Sequence, residues 1–420
     1  MTKAFYVPKK EDTRYENSTF NSVRVSDALS RHTDFSELVI AIRSSKFNFK
    51  PTWGLSDLRD ATTASGTGAA VVETSGEFKL STGTASGNTS QLRTKERGQY
   101  QAGTEGEAGI GVRIPTAPTG TQCAEWGYFD DNNGFGYGYD ATGLYVFRLS
   151  AGTKTKIYQS SWNADKVDGT GSASNPSGFN LNVANGLIFQ INFTWYGYGS
   201  VKFYINTRDT EQAGKERILL HRLIVDESIS VVDPNQPITI NAINGDTTST
   251  NFDVYVGGRQ FSVVDGDSLP EIRDTPIIFT NETVGTTLIP ILAVRKKANF
   301  NGRQNSIRCI LKQIDIATSQ NMLWFFSYGD TVTDGSWGAI PYVDATETAL
   351  EINTTLTAGN TTQFRAISGD VILAGNNRGV SAAKGDRLPL GQNDVLVLWA
   401  QRTGAQDATV SGVIDMEEEW

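Results

Sequence analysis

The stretch Trp126-Gly127-Tyr128-Phe129-Asp130-Asp131-Asn132-Asn133-Gly134-Phe135-Gly136-Tyr137-Gly138-Tyr139 decides the fold class. Aromatic residues recur at alternate positions on both sides of a polar turn, and that is the period of a strand. Asp130 to Gly134 supplies turn chemistry, so the segment predicts a hairpin. Gly136 and Gly138 inside the second strand would leave room for aromatic rings to lie across the sheet.

The same pattern extends in both directions. Ile110, Val112 and Ile114 alternate with Gly111 and Arg113, and Leu144-Tyr145-Val146-Phe147 follows a further glycine turn. Two aromatic-rich runs, Ile191 to Trp195 and Val201 to Ile205, flank Tyr196-Gly197-Tyr198-Gly199-Ser200. Val71 to Leu80 reads as two strands about Ser75-Gly76, and Phe47-Asn48-Phe49 alternates after the short apolar run Leu38 to Ile42. Many short strands with no helical period between them predict an antiparallel sandwich over 37–264. Val264 to Pro270 reads as a boundary. Strand-like runs then resume at Ile277, Leu288, Ile307, Leu323, Val371 and Val395, which predicts a second β-sandwich over 271–420. The expected fold is all-β: two antiparallel, jelly-roll-like β-sandwich domains behind a polar N-terminal arm over 1–36. The acidic end, Asp415 to Glu419 before Trp420, reads as a solvated tail.

The chain has 420 residues, 38% hydrophobic and 20% charged, enough to build a sizeable core. Its net charge of -9 argues against gripping nucleic acid, which wants a basic face. Met1 to Asn17 lacks the apolar run of a signal peptide, and no stretch approaches the ~20 apolar residues of a membrane helix. The expectation is a protein made in a cytoplasm and not inserted in a membrane. Cys123 and Cys309 are too few for a disulfide framework or a four-ligand zinc site and read as free thiols. Sequons at Asn192 and Asn281 are unremarkable in a chain so rich in Asn and Thr.

Catalytic signatures are missing from the sequence. It contains no nucleophile elbow, phosphate-binding loop, dinucleotide fingerprint or H-E-x-x-H. His32 and His221 are its two histidines, which leaves little for His-based triads or metal sites. Asp130 to Asn133 carries oxygen ligands of the kind calcium takes, but it lacks the D-x-D-x-D-G register of an EF-hand loop and Asn-Gly is a hairpin signal, so the turn is the favoured reading. With 46 Asp and Glu residues, spacing nominates no particular carboxylate pair for glycoside hydrolysis. Trp195, Tyr196 and Tyr198 form an aromatic cluster that could stack on a sugar ring. The competing reading puts Trp195 in the core and the tyrosines toward solvent or another subunit. No cofactor, metal or catalytic residue is expected.

One further series carries a resemblance. It runs through Phe35 to Val39, Phe78 to Gly83, Arg97 to Gly103, Gly127 to Asp130 with Gly136 to Asp140, Ser161 to Asn163, Asp168 to Gly171 and Gln190 to Ile205. This order resembles a family of virion structural proteins of tailed bacteriophages, over roughly residues 35 to 260. The strand plan of that region also resembles the concanavalin/laminin-G type of jelly roll. The resemblance implies a non-enzymatic particle component, located in the virion and facing outward as a head decoration, vertex, fibre or tail-associated protein. Its implied partners are other virion proteins and copies of itself. A host surface glycan is the partner under the alternative, a carbohydrate-binding adsorption protein.

Overall fold

The computed structural model describes residues 43–207, 217–225, 229–246, 250–264, 271–329, 331–333, 335–358, 361–362, 365–373, 378–380 and 389–420. The arm expected over 1–36, the run Leu38 to Ile42, His32 and the boundary 265–270 lie outside the described residues. The described chain is almost wholly strand and short turn, as the alternation predicts. None of its helices is long and apolar enough to cross a membrane.

Among the described residues, fifteen strands build the first sandwich. They are β1 (Arg43–Phe49), β2 (Asp60–Ser65), β3 (Ala70–Thr74), β4 (Glu77–Ser81), β5 (Thr89–Arg97), β6 (Glu105–Arg113), β7 (Cys123–Phe129), β8 (Gly134–Asp140), β9 (Gly143–Ser150), β10 (Thr153–Tyr158), β11 (Leu187–Phe193), β12 (Val201–Asn206), β13 (Arg217–Leu223), β14 (Pro237–Ile243) and β15 (Asp253–Val264). One sheet runs β13-β12-β11-β6-β15-β4-β3, with β1 joined to β15; the other runs β10-β9-β8-β7-β14-β5-β2. Every pairing is antiparallel. The turns sit where the sequence places them: Ser75 and Gly76, both at positive φ, turn β3 into β4.

Alternation puts one side chain in two between the sheets. From the β7 hairpin these are Trp126, Tyr128, Phe135 and Tyr137, all at most 2% exposed. Trp126 stacks on Tyr137 at 5.9 Å, and each ring meets Phe189 of the opposite sheet at 4.9 Å. The Tyr137 hydroxyl lies 2.7 Å from the Gln190 carbonyl and 2.8 Å from that of Tyr204, which ties the two sheets across the core.

The outer face of β7–β10 explains the strand glycines. A Cβ on Gly138 would lie 2.1 Å from the Tyr145 ring, and one on Gly136 2.5 Å from the Phe147 ring. Those two rings lie across the glycines, buried on the outside of the sheet. Lys156 covers Tyr145 at 4.2 Å and Lys154 covers Phe147 at 5.0 Å, so aliphatic stems and ammonium groups seal a small second core.

The second sandwich comprises β16 (Ile272–Val284), β17 (Ile289–Lys296), the short pair β18 (Asn299–Phe300) and β19 (Arg303–Gln304), β20 (Arg308–Thr318), β21 (Met322–Tyr328), β22 (Thr331–Val332), β23 (Leu350–Asn353), β24 (Thr361–Thr362), β25 (Arg365–Ile372), β26 (Arg378–Val380), β27 (Val395–Arg402) and β28 (Ala408–Glu419). Its sheets run β16-β28-β20-β26 and β23-β17-β27-β21-β25. Ile277, Ile314 and Ile414 of the first pack against Leu292, Trp324 and Leu398 of the second.

The acidic end is not a solvated tail: β28 lies between β16 and β20, and Glu418 is 0% exposed. Its carboxylate accepts from Thr275 Oγ1 (2.5 Å), Thr348 Oγ1 (2.6 Å) and the Ala349 amide (2.8 Å). A buried carboxylate is tolerable when donors replace its water, and three of them do so here.

The sandwiches meet along the end of β5. Lys95 Nζ lies 2.7 Å from Asp394, whose other oxygen accepts from Tyr328 Oη at 2.6 Å. Arg308 bridges Glu96 (3.2 Å) and Glu419 (2.9 Å). Gln99 Nε2 donates to the Ser306 carbonyl at 3.2 Å.

Candidate functional site

Three places on the first sandwich could carry function. The first is the hairpin between β11 and β12. Gly199 N–H donates to the Trp195 carbonyl at 2.8 Å, closing the turn, and Tyr196 sits at φ 37° within it. Trp195 is half-buried: its ring packs edge-on against Tyr100 at 6.1 Å, and its indole N–H donates to the Val231 carbonyl at 3.0 Å. Ser230 N–H donates to the Gly197 carbonyl at 2.8 Å, which fastens the tip to a neighbouring loop. Tyr196 and Tyr198 are 51% and 74% exposed. Of the three aromatics singled out in sequence, the structure gives Trp195 an anchoring place and presents Tyr196 and Tyr198 to solvent.

The second place is the Asp130 turn. Asp130 Oδ1 accepts from the amides of Asn132 and Asn133, both at 2.8 Å, and Oδ2 accepts from Arg97 Nη1 at 3.1 Å. Asp131 pairs with Arg93 at 2.7 Å, and the hydrogen bond from that guanidinium holds its carboxyl below the usual range. Both aspartates are thus satisfied by N–H donors and guanidinium charge, a setting that favours the turn reading over a calcium site. Beside the turn lies a polar crevice of about 290 Å³ between the sandwiches, lined by Asp130, Asn132 and Asp233 on one side and Arg303 and Gln304 on the other. The Gln304 amide, with its nitrogen toward Asp130 Oδ2 (3.1 Å), accepts from Arg97 Nη2 at 3.3 Å. Burial pushes the Asp233 carboxyl upward.

The third place was not read from the sequence. On β6, Glu105 and Glu107 share the face opposite Ala108, Ile110 and Val112. Glu107, 1% exposed, is held by Arg43 (2.9 Å), Gln260 (3.0 Å) and Asn192 (3.5 Å). Arg217 contacts Asn192, lies over the Tyr204 ring at 3.8 Å, and approaches Glu107 at 4.0 Å. Lys202 lies 3.7 Å from Glu105. The signal was available: the alternation that marks Ile110, Val112 and Ile114 as inward also marks Glu105, Glu107 and Arg113 as outward.

His221, 6% exposed, accepts from the Asn163 amide at 3.3 Å through Nδ1, and burial lowers its pKa. Cys309 is buried and Cys123 half-buried, both as free thiols; burial pushes them up to about 12 and about 11. Among the described residues no group of three or more His, Cys, Asp or Glu is placed to hold a metal ion.

No protein-family model and no curated protein matches the chain. Among solved structures it is similar to a legume lectin-like domain from Entamoeba histolytica, at 10% identity over 48% of this chain and 89% of that one, with a TM-score of 0.30. It is similar to arcelin-5, a lectin-like defence protein from Phaseolus vulgaris, at 11% identity over 53% and 99%, TM-score 0.32. It is also similar to a putative β-glucanase from Mycobacterium abscessus, at 12% identity over 52% and 99%, TM-score 0.34.

Proposed function

We propose that this chain is a non-enzymatic structural component on the exterior of a tailed-bacteriophage particle. One observation carries the non-catalytic half of this reading: the buried carboxylates Glu418, Asp60 and Glu125 are committed to holding strands and sheets together. Glu418 spans β28, β16 and the loop before β23; Asp60 pairs with the fully buried Arg259 at 2.6 Å; Glu125 takes Lys154 at 2.6 Å and the Tyr145 hydroxyl at 3.0 Å. General acid–base work needs a carboxyl within reach of substrate and free to change protonation, and groups locked this way serve rigidity instead. The particle half rests on the sequence resemblance drawn over roughly residues 35–260, and an all-β body built of antiparallel sandwiches suits it. Quantitative mass spectrometry of gradient-purified particles tests it. The reading requires the chain at a fixed copy number per particle; its loss during purification contradicts the reading.

The paired exposure of Tyr196 and Tyr198 favours a second role for the same particle protein, contact with a host surface glycan. Two rings held on a pinned turn present apolar faces at little entropic cost. Tyr198→Ala and Tyr196→Ala would abolish saturable glycan binding while leaving the unfolding midpoint unchanged. A folded parent protein that binds nothing on a glycan array contradicts this second role.

A further inference from the structure

Natural sheets guard their edges with charge, proline or cover, because an open edge pairs with any strand that reaches it. Most edge strands here follow that rule. β10 carries Lys154 and Lys156, β13 carries Arg217 and Arg222, β3 carries Glu73, and β16 carries Arg273, Asp274 and Pro276. β2 departs from it. After Asp60 it reads Ala61-Thr62-Thr63-Ala64-Ser65, with no charge and no proline, and Thr62 to Ser65 are exposed.

The phase of the ladder shows which groups have no partner among the described residues. Lys95 N–H donates to the Arg59 carbonyl at 2.9 Å, and the register continues as Ala61 with Arg93, Thr63 with Gln91 and Ser65 with Thr89. These residues turn their main-chain groups toward β5. Thr62 and Ala64 therefore turn theirs outward, away from the sheet. At the base of the strand Arg59 fixes the preceding loop by donating to the carbonyls of Lys50 (3.3 Å) and Gly54 (2.5 Å). That loop carries Trp53, 82% exposed, next to the tethered Gly54.

We propose that β2 is a self-association edge, pairing antiparallel with β2 of a second copy of this chain across a two-fold axis. The register is dictated by the outward groups. Setting Thr62 opposite the partner's Ala64, and Ala64 opposite the partner's Thr62, satisfies both residues' N–H and C=O groups on both chains. Thr63 then meets the partner's Thr63 at the axis. Sliding the register to put Thr62 opposite the partner's Thr62 would bring Asp60 into the ladder, and its amide already donates to the Ser56 carbonyl at 2.7 Å. A second copy fits for two further reasons. Both copies carry a net charge of -9, and this uncharged edge is where they meet with least like-charge opposition. Trp53, in the loop tied to the base of the strand, is an exposed aromatic of the type enriched at protein interfaces, and a two-fold axis would present it from both chains. The inference stands independently of the particle reading.

The test is light scattering of the full chain, joined to hydrogen exchange over residues 60–66. A dimer of twice 45.6 kDa is expected, with the Thr62 and Ala64 amides protected at high protein concentration and exchanging freely on dilution. Thr63→Lys sets two ammonium groups face to face at the axis and should weaken the dimer at least tenfold with unchanged circular dichroism. Trp53→Ala, which leaves β2 untouched, should weaken it in the same direction should the lysine variant misfold. A chain that stays monomeric to about 100 µM overturns the proposal, since a pairing that weak leaves most copies apart. So does a dimer whose Thr62 and Ala64 amides exchange freely, or one indifferent to both substitutions.

Discussion

Gly138 has no side chain because the ring of Tyr145 occupies that space, and the packing outside the sheet depends on it. In Gly138→Ala the new Cβ meets that ring at 2.1 Å, and the ring is held by Glu125 below and Lys156 above. Overpacking of this kind costs about 1–3 kcal/mol, read as a lower denaturant midpoint at unchanged slope. Lys296 carries a different residue-scale consequence. Burial pulls its amine down to about 8, with Arg97 acting in the same direction and Cys309, Asp233 and Asp394 opposing. The folded value lies below the usual 10.5, so as pH falls the unfolded chain takes up this proton first. The stability contributed by the neutral amine is present above 10.5 and is lost as pH falls through 8. Lys296→Met should therefore unfold at higher denaturant than the parent at pH 7, with the difference closing as pH approaches 10.5. A constant difference across that window contradicts the assignment.

At the scale of elements, β28 is where local sequence and final structure part furthest. Asp415 to Glu419 has the composition of a surface tail, yet it fills the middle of a sheet. The donors that make this possible, Thr275 and Thr348, lie 143 and 70 residues away from Glu418, and no local pattern announces them. Glu418→Ala would strand three buried donors and should cost about 3 kcal/mol or more in a chemical unfolding curve. A cost below about 1 kcal/mol would mean that the carboxylate does not organise the strand. The aromatic hairpin of β7 and β8 and the Ser75-Gly76 turn were legible because period-2 alternation and turn chemistry are local facts. The anchoring of Trp195 was half legible: its type and position suggested core packing, but its partner Val231 comes from a distant loop. Glu105 and Glu107 were legible in principle, as the outward half of an alternation whose inward half alone was read.

The whole molecule is governed by contacts that sequence pattern cannot place. The Lys95–Asp394 pair joins residues 299 apart, and Arg308 ties Glu96 of one sandwich to Glu419 of the other. With Tyr328 and Gln99 these make the join between sandwiches a set of partly buried, charge-assisted hydrogen bonds. The described protein should therefore melt in one calorimetric transition. The double variant Lys95→Ala with Arg308→Ala should separate it into two, because each sandwich keeps its own core. Two transitions in the parent would contradict the coupling.

The measurement that bears most directly on the proposed role is immunogold electron microscopy of purified phage particles, with antibody raised against this chain. Gold on the outside of intact particles, over the head surface or along the tail, is the expected result. Particles that contain the chain by mass spectrometry yet carry no label would contradict an outward-facing structural component.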